Sequence, residues 1–186
     1  MNQKRNTLAV LVDNEAGVLS RVARLFSGKG YNIESLAVGT TDDPAISRIT
    51  IEVMADEKQL RLLSNQLRKL ICVHSVKALL PEHAIRRELV LIKVLAGESE
   101  RRNEIIQIAN IFRASIIDVS KSSLTLALIG DENKAEAIQN LLTEFGILEL
   151  VRTGMVALER GQYTIDEQTK EKGEFDYGKN VLREGL

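Results

Sequence analysis

The 186-residue chain has no tryptophan, and aromatic residues make up only 4% of it, so any core it builds is aliphatic. Its single cysteine, Cys72, excludes an intramolecular disulfide and fits a reducing compartment. No apolar run approaches the roughly 20 residues of a membrane-spanning helix. Met1-Asn2-Gln3-Lys4-Arg5-Asn6 leads straight into a strand pattern, with no signal-peptide apolar region. The expectation is a cytoplasmic protein without a membrane partner. A net charge of −1 supplies no electrostatic footprint for nucleic acid. What is present is ordinary for a folded protein: 44% hydrophobic and 27% charged residues, in a length that suits one large domain or two small ones.

Read in order, Leu8-Ala9-Val10-Leu11-Val12 is apolar on both alternating faces, as a central strand would be. From Gly17, the residues Val18, Leu19, Val22, Leu25 and Phe26 recur at helical spacing, and Ser27-Gly28-Lys29-Gly30 ends that helix. A strand follows over residues 32–38, then a turn at Thr41-Asp42-Asp43-Pro44, then a strand over 47–53 with Ile49, Ile51 and Val53 on one face. Asp56 is placed to N-cap a second helix striped by Leu60, Leu63, Leu67 and Leu70. A fourth strand runs from Cys72 to Leu80 and stops at Pro81. The order is βαββαβ.

After Pro81-Glu82-His83-Ala84 the order repeats. Strands fall at 89–96, 115–119 and 124–129, and helices are striped by Ile105, Ile108, Ala109, Phe112 and by Ala135, Ile138, Leu142, Phe145. Ile147–Val151 and Met155–Leu158 read as one last strand interrupted at Arg152-Thr153-Gly154. Each unit is therefore a ferredoxin-like α+β arrangement, four antiparallel strands with two helices on one face. The expected domains are 1–81 and 82–160, followed by a polar tail over 161–186. Because Leu8–Val12 and Leu89–Ala96 are apolar on both faces, the helix-free face should be covered by the other repeat or by another subunit, most simply in a two-fold dimer.

Little in the chain suggests catalysis. Cys72 and His74 are two apart in a strand and could form a thiolate–imidazole dyad, but a lone cysteine in a β segment is usually a small core hydrophobe. His74 and His83 lack the neighbours of a metal site, and neither a P-loop nor a GxGxxG motif occurs. Asp42-Asp43 is accounted for by turn chemistry. RNA binding on such a sheet needs stacking aromatics, and these strands carry Val, Ile and Leu.

Small-molecule binding is better served. Asp13-Asn14-Glu15-Ala16-Gly17 joins a strand to a helix, where free N–H groups and the positive end of the dipole favour a carboxylate. Asn14 either caps the helix or meets a ligand amine. Gly17 either makes a tight turn or admits a carboxylate to the backbone, and Asn32 either opens a strand or lies at a subunit boundary.

The string Leu11-Val12-Asp13-Asn14-Glu15-Ala16-Gly17-Val18-Leu19-Ser20-Arg21-Val22, with Gly30-Tyr31-Asn32-Ile33-Glu34-Ser35-Leu36 and Phe112-Arg113-Ala114-Ser115-Ile116-Ile117-Asp118-Val119, resembles the regulatory small subunits of acetohydroxyacid synthase, also called acetolactate synthase. The resemblance covers about residues 6–161. It implies that the first unit is an ACT domain, that two such domains pair in a homodimer, and that valine binds at their interface. By position it implies Asn14, Gly17, Val18, Leu19, Asn32 and Ile33 as valine-binding residues. It also implies a separate large catalytic subunit that carries thiamine diphosphate, Mg²⁺ and FAD and carboligates pyruvate, while this chain holds no cofactor, activates that subunit and confers valine inhibition. The alternative is a free-standing ACT sensor of another enzyme. The second repeat has Gly97-Glu98-Ser99-Glu100 where the first has its loop, and its acidic residues should repel a carboxylate.

Overall fold

The computed structural model describes residues 3–165. Most of the expected tail, including Val181-Leu182, lies outside the described residues. The chain forms two compact units, one of residues 3–85 together with 155–165, the other of Arg86–Gly154.

The first unit contains β1 (Lys4–Asp13), α1 (Val18–Gly28), β2 (Ile33–Thr40), β3 (Ile46–Ala55), α2 (Glu57–Leu67) and β4 (Val73–Leu79). Its antiparallel sheet has the order β2-β3-β1-β4, so the most apolar strand is central. Leu8 and Val10 lie opposite Ile51 and Ile49 on β3, and opposite Ala78 and Val76 on β4. These residues and Val12 meet Val22 and Phe26 of α1 and Leu60, Leu63 and Leu67 of α2 in one core. The expected helix ends hold. Gly30, at φ +72, lets its N–H reach the Ser27 carbonyl while the Tyr31 N–H reaches that of Phe26, which closes α1 in a Schellman motif. Asp56 accepts from the Gln59 N–H at 2.8 Å, and the Gln59 side chain returns the bond to the Asp56 N–H. This capping box contributes about 1 kcal/mol.

The second unit holds β5 (Ala84–Leu95, entering it at Arg86), α3 (Ser99–Ile111), β6 (Ser115–Val119), β7 (Ser123–Gly130), α4 (Glu132–Thr143) and β8 (Ile147–Arg152). The strand order β6-β7-β5-β8 repeats that of the first sheet. Val90, Ile92 and Val94 pack with Leu124, Leu126 and Leu128 against Ile105, Ala109, Ile138 and Leu142. On the other side of this sheet, Leu89, Ile129 and Val151 are exposed.

The expected interrupted strand is present: β8 pairs with β5 over Val90–Val94, and β9 (Val156–Glu159), reached through Gly154 at φ +84, pairs with β5 as well. By packing, residues from Met155 onward belong with the first unit, so the second unit ends at Gly154 rather than at residue 160. The helix-free face of the first sheet also has a cover within the same chain: Ala9, Leu79 and Ala84 pack against Ala157 and Ile165. Polar anchors hold this returning segment. Lys77 pairs with Glu159 at 2.5 Å and donates to the Thr164 carbonyl at 3.2 Å. Arg48 donates to the Ala157 carbonyl at 2.7 Å, and the Met155 N–H donates to Ser35 Oγ at 2.7 Å. Finally, the Arg160 N–H donates to the His83 carbonyl at 2.8 Å.

Candidate functional site

The loop between β1 and α1 is fixed by Asn14. Its main-chain N–H donates to the Ala45 carbonyl at 2.7 Å, its side-chain amide donates to the Pro44 carbonyl at 2.8 Å, and its Oδ1 accepts from Ser47 Oγ at 3.0 Å. Asn14 therefore ties the loop to the β2–β3 hairpin and does not cap the helix. The hairpin is held in turn by Asp43, whose carbonyl accepts from the Ile46 N–H and whose Oδ1 accepts from the Ala45 N–H at 2.9 Å. This is the turn role its spacing indicated. Sequence reasoning did not single out Ser47. The available signal was a serine in the alternation of Ile49, Ile51 and Val53, and it is buried with them.

The helix N-cap is Gly17, at φ 84 and ψ −7, with no side-chain capping bond. The turn requires this positive φ, which glycine adopts without penalty. The Val18 N–H makes only a long 3.4 Å bond to the Glu15 carbonyl, and the Arg21 N–H to the Gly17 carbonyl, at 3.1 Å, is the first regular helical bond. The N–H groups of Leu19 and Ser20 have no acceptor among the described residues. No acidic residue lies in the first turn of α1, so its positive end is not neutralised from within the helix. A Cβ built on Gly17 meets nothing within 4 Å, which leaves the space before these N–H groups open. Val18 is buried in the core and offers the site only its backbone, whereas Leu19, 41% exposed, places an aliphatic side chain at the rim. The arrangement can receive a small carboxylate.

Asn32 and Ile33 lie elsewhere in the unit. Asn32 is exposed and its amide donates to Glu34 Oε1 at 2.8 Å, while Ile33 opens β2 and packs partly on the core. The 11 residues of α1 separate them from Gly17, about 16 Å at roughly 1.5 Å per residue. Thus one chain brings Asn14, Gly17, Val18 and Leu19 together and leaves Asn32 and Ile33 at the far end of the helix.

Cys72 and His74 do not form a dyad. The Cys72 thiol is buried in the core, and His74 Nε2 lies 2.6 Å from Asp13 Oδ1. Among the described residues no three His, Cys, Asp or Glu side chains are grouped to hold a metal ion, and no helix is long and apolar enough to cross a membrane.

The matching corner of the second unit is built differently. Arg102 Nη2 lies 2.8, 2.7 and 2.8 Å from the carbonyl oxygens of Ala96, Ser120 and Lys121. Glu98 occupies the N-cap of α3 without a capping bond, and Glu100 stands in its first turn. A guanidinium does here the tying that Asn14 does in the first unit, and a carboxylate sits where α1 has none.

Two tandem βαββαβ units, the first with an uncapped helix start at its β1–α1 loop, define a protein of the ACT class. The family model for the "AHAS small subunit-like ACT domain" matches residues 8–75, and that for the "small subunit of acetolactate synthase" matches residues 87–161. The chain is 48% identical over 161 residues to the acetolactate synthase small subunit of Mycobacterium bovis, covering 87% of this chain and 95% of that protein. It is 44% identical over 168 residues to the acetolactate synthase small subunit of Aquifex aeolicus, covering 90% and 87%. The crystal structure of the acetolactate synthase small subunit from Thermotoga maritima superposes with a TM-score of 0.80 at 38% identity, covering 86% of this chain and 99% of that one. The chain belongs to the acetolactate synthase small-subunit family.

Proposed function

We propose that this chain is a cytoplasmic regulatory subunit that raises the activity of a large acetolactate synthase subunit and makes that activity inhibitable by valine. The observation that carries the reading is the pair of free N–H groups at Leu19 and Ser20, presented behind an open Gly17 on a loop that Asn14 holds in place. Valine's carboxylate docks on these N–H groups, its ammonium is met by amide oxygens of the Asn14 and Asn32 type, and its isopropyl group rests on aliphatics such as Leu19 and Ile33. The pyruvate carboligation, with its thiamine diphosphate, Mg²⁺ and FAD, belongs to the large subunit in this reading.

A homodimer completes the site. β2 is an edge strand, bonded within its sheet only to β3, and an edge strand presents a row of backbone groups to a second strand. Two-fold antiparallel pairing of β2 with its copy sets the start of one strand beside the end of the other. Asn32 and Ile33 of one protomer then approach Thr40 and the hairpin of its partner, which carries the partner's Asn14 loop. The second unit, with Glu98 and Glu100 at the start of α3, contributes no valine site. One methylene in an aliphatic pocket is worth about 1–3 kcal/mol, so discrimination against leucine and isoleucine is partial. Regulation requires valine to favour the inhibited arrangement by a coupling of about 1–3 kcal/mol.

Reconstitution with the large subunit of the same organism tests the function. Added chain should raise pyruvate carboligation and valine should then lower it; a large subunit indifferent to the added chain would refute the reading and favour a sensor of another enzyme. Asn32→Ala should weaken valine binding in calorimetry by about 1.5–3 kcal/mol, the worth of a hydrogen bond to a charged group. An unaltered dissociation constant would remove Asn32 from the site.

A further inference from the structure

Asn14 is exposed, and an exposed amide ordinarily samples several rotamers. This one is held from two sides. Its Nδ2 donates to the Pro44 carbonyl at 2.8 Å, and its Oδ1 accepts from the Ser47 hydroxyl at 3.0 Å. A carbonyl only accepts, so the amide nitrogen must face Pro44 and the oxygen must face Ser47. The hydroxyl is then obliged to donate.

Both holders are themselves fixed. Ser47 is 6% exposed and lies in β3. Pro44 stands at a hairpin tip closed by three bonds: the Thr41 N–H to the Ile46 carbonyl at 2.9 Å, the Ala45 N–H to Asp43 Oδ1 at 2.9 Å, and the Asp43 N–H to Thr41 Oγ1 at 3.1 Å.

An amide oxygen has two lone pairs, and Ser47 takes one of them. No other described residue donates to Asn14 Oδ1. Asn32 follows the same plan: its nitrogen donates to Glu34 Oε1 at 2.8 Å, and no described residue donates to its oxygen. Each asparagine has its donor group engaged within the protein and an acceptor left open.

We propose that Ser47 is a specificity-determining residue of the effector site: by fixing Asn14 with an open acceptor, it makes the site take an α-ammonium and refuse the 2-oxo acid of the same carbon skeleton. The proposal rests on the valine reading. An ammonium carries three N–H donors and can serve both asparagine oxygens, whereas a 2-oxo group brings only lone pairs to lone pairs. Ser47 is a positioning residue and does not touch the effector. Its hydroxyl keeps the Asn14 amide from swinging about the Pro44 bond, so binding need not order that side chain.

Calorimetric titration of the full-length chain with valine and with 3-methyl-2-oxobutanoate tests this. Wild type should favour valine by at least about a hundredfold, because a site built to bond an N–H rejects the analogue that lacks it. Ser47→Ala should weaken valine by about fivefold, the worth of one neutral hydrogen bond, and should leave the weak binding of the 2-oxo acid unimproved and undiminished. Ser47→Thr, which keeps the hydroxyl, should bind valine within twofold of wild type. Unchanged valine affinity in Ser47→Ala, an equal loss for both ligands, or Ser47→Thr no better than Ser47→Ala would each overturn the role of Ser47 alone. Wild-type chain that binds the 2-oxo acid as tightly as valine would overturn the selection for an ammonium. Wild-type chain that binds no valine would overturn the reading beneath it as well.

Discussion

Gly17→Asp should abolish valine inhibition of the reconstituted complex while activation of the large subunit remains. The backbone at φ 84 disfavours a side chain, at a cost of about 1 kcal/mol that aspartate tolerates better than most residues. The new Cβ meets nothing within 4 Å, so the fold has room for it. The added carboxylate stands at a helix start with no acidic residue in its first turn and two unpaired N–H groups, where a negative charge is favourable. The variant therefore fills the proposed carboxylate site with a charge of its own. A ligand carboxylate about 4 Å away would meet a repulsion of about 4 kcal/mol at an effective dielectric of about 20, roughly a thousandfold in affinity. Valine titration and calorimetry read this directly, and an unchanged inhibition midpoint would show that the effector binds elsewhere.

Phe26→Ala should destabilise the first unit by about 3–5 kcal/mol, the usual loss when a fully buried aromatic is truncated. Phe26 is 0% exposed and joins α1 to the core that Leu8, Val10, Leu63 and Leu67 complete. Its carbonyl accepts from both Lys29 and Tyr31, bonds that the substitution leaves, so the loss reports packing. A domain's whole stability is about 5–15 kcal/mol. Urea denaturation should therefore show the transition of the first unit moved to markedly lower denaturant, with that of the second little changed. A shift below about 1 kcal/mol would mean that α1 does not pack on the sheet through this ring.

The elements of both units were legible because each is set by local chemistry. The alternation of Ile49, Ile51 and Val53 faces one core, Asp56 marks a helix start, and Gly30 adopts the positive φ that ends a helix. The bare helix start was legible only in part, since Asn14 stood as a candidate cap and the N-cap is Gly17, without a side-chain capping bond. What Asn14 binds was not, because Pro44 and Ser47 are 30 and 33 residues away and no spacing rule links them. The pairing of β9 with β5 continues the interrupted last strand and was legible, but its packing on the first unit was not: that rests on Arg48, Lys77 and Ser35, polar residues whose partners become apparent only after folding. The proposed site is likewise legible only in part, because Asn32 is separated from Gly17 by the length of a helix.

The returning segment also sets an order of events at the ribosome. Ala9, Leu79 and Ala84 emerge early, but Ala157 and Ile165, which cover them, are among the late residues to be made. Until then the nascent first unit has a helix-free face without this cover, and Arg48 and Lys77 lack Ala157 and Glu159. The first half of the chain is thus finished last, and a message cut short after the second unit would release a product whose first unit never acquires its seal.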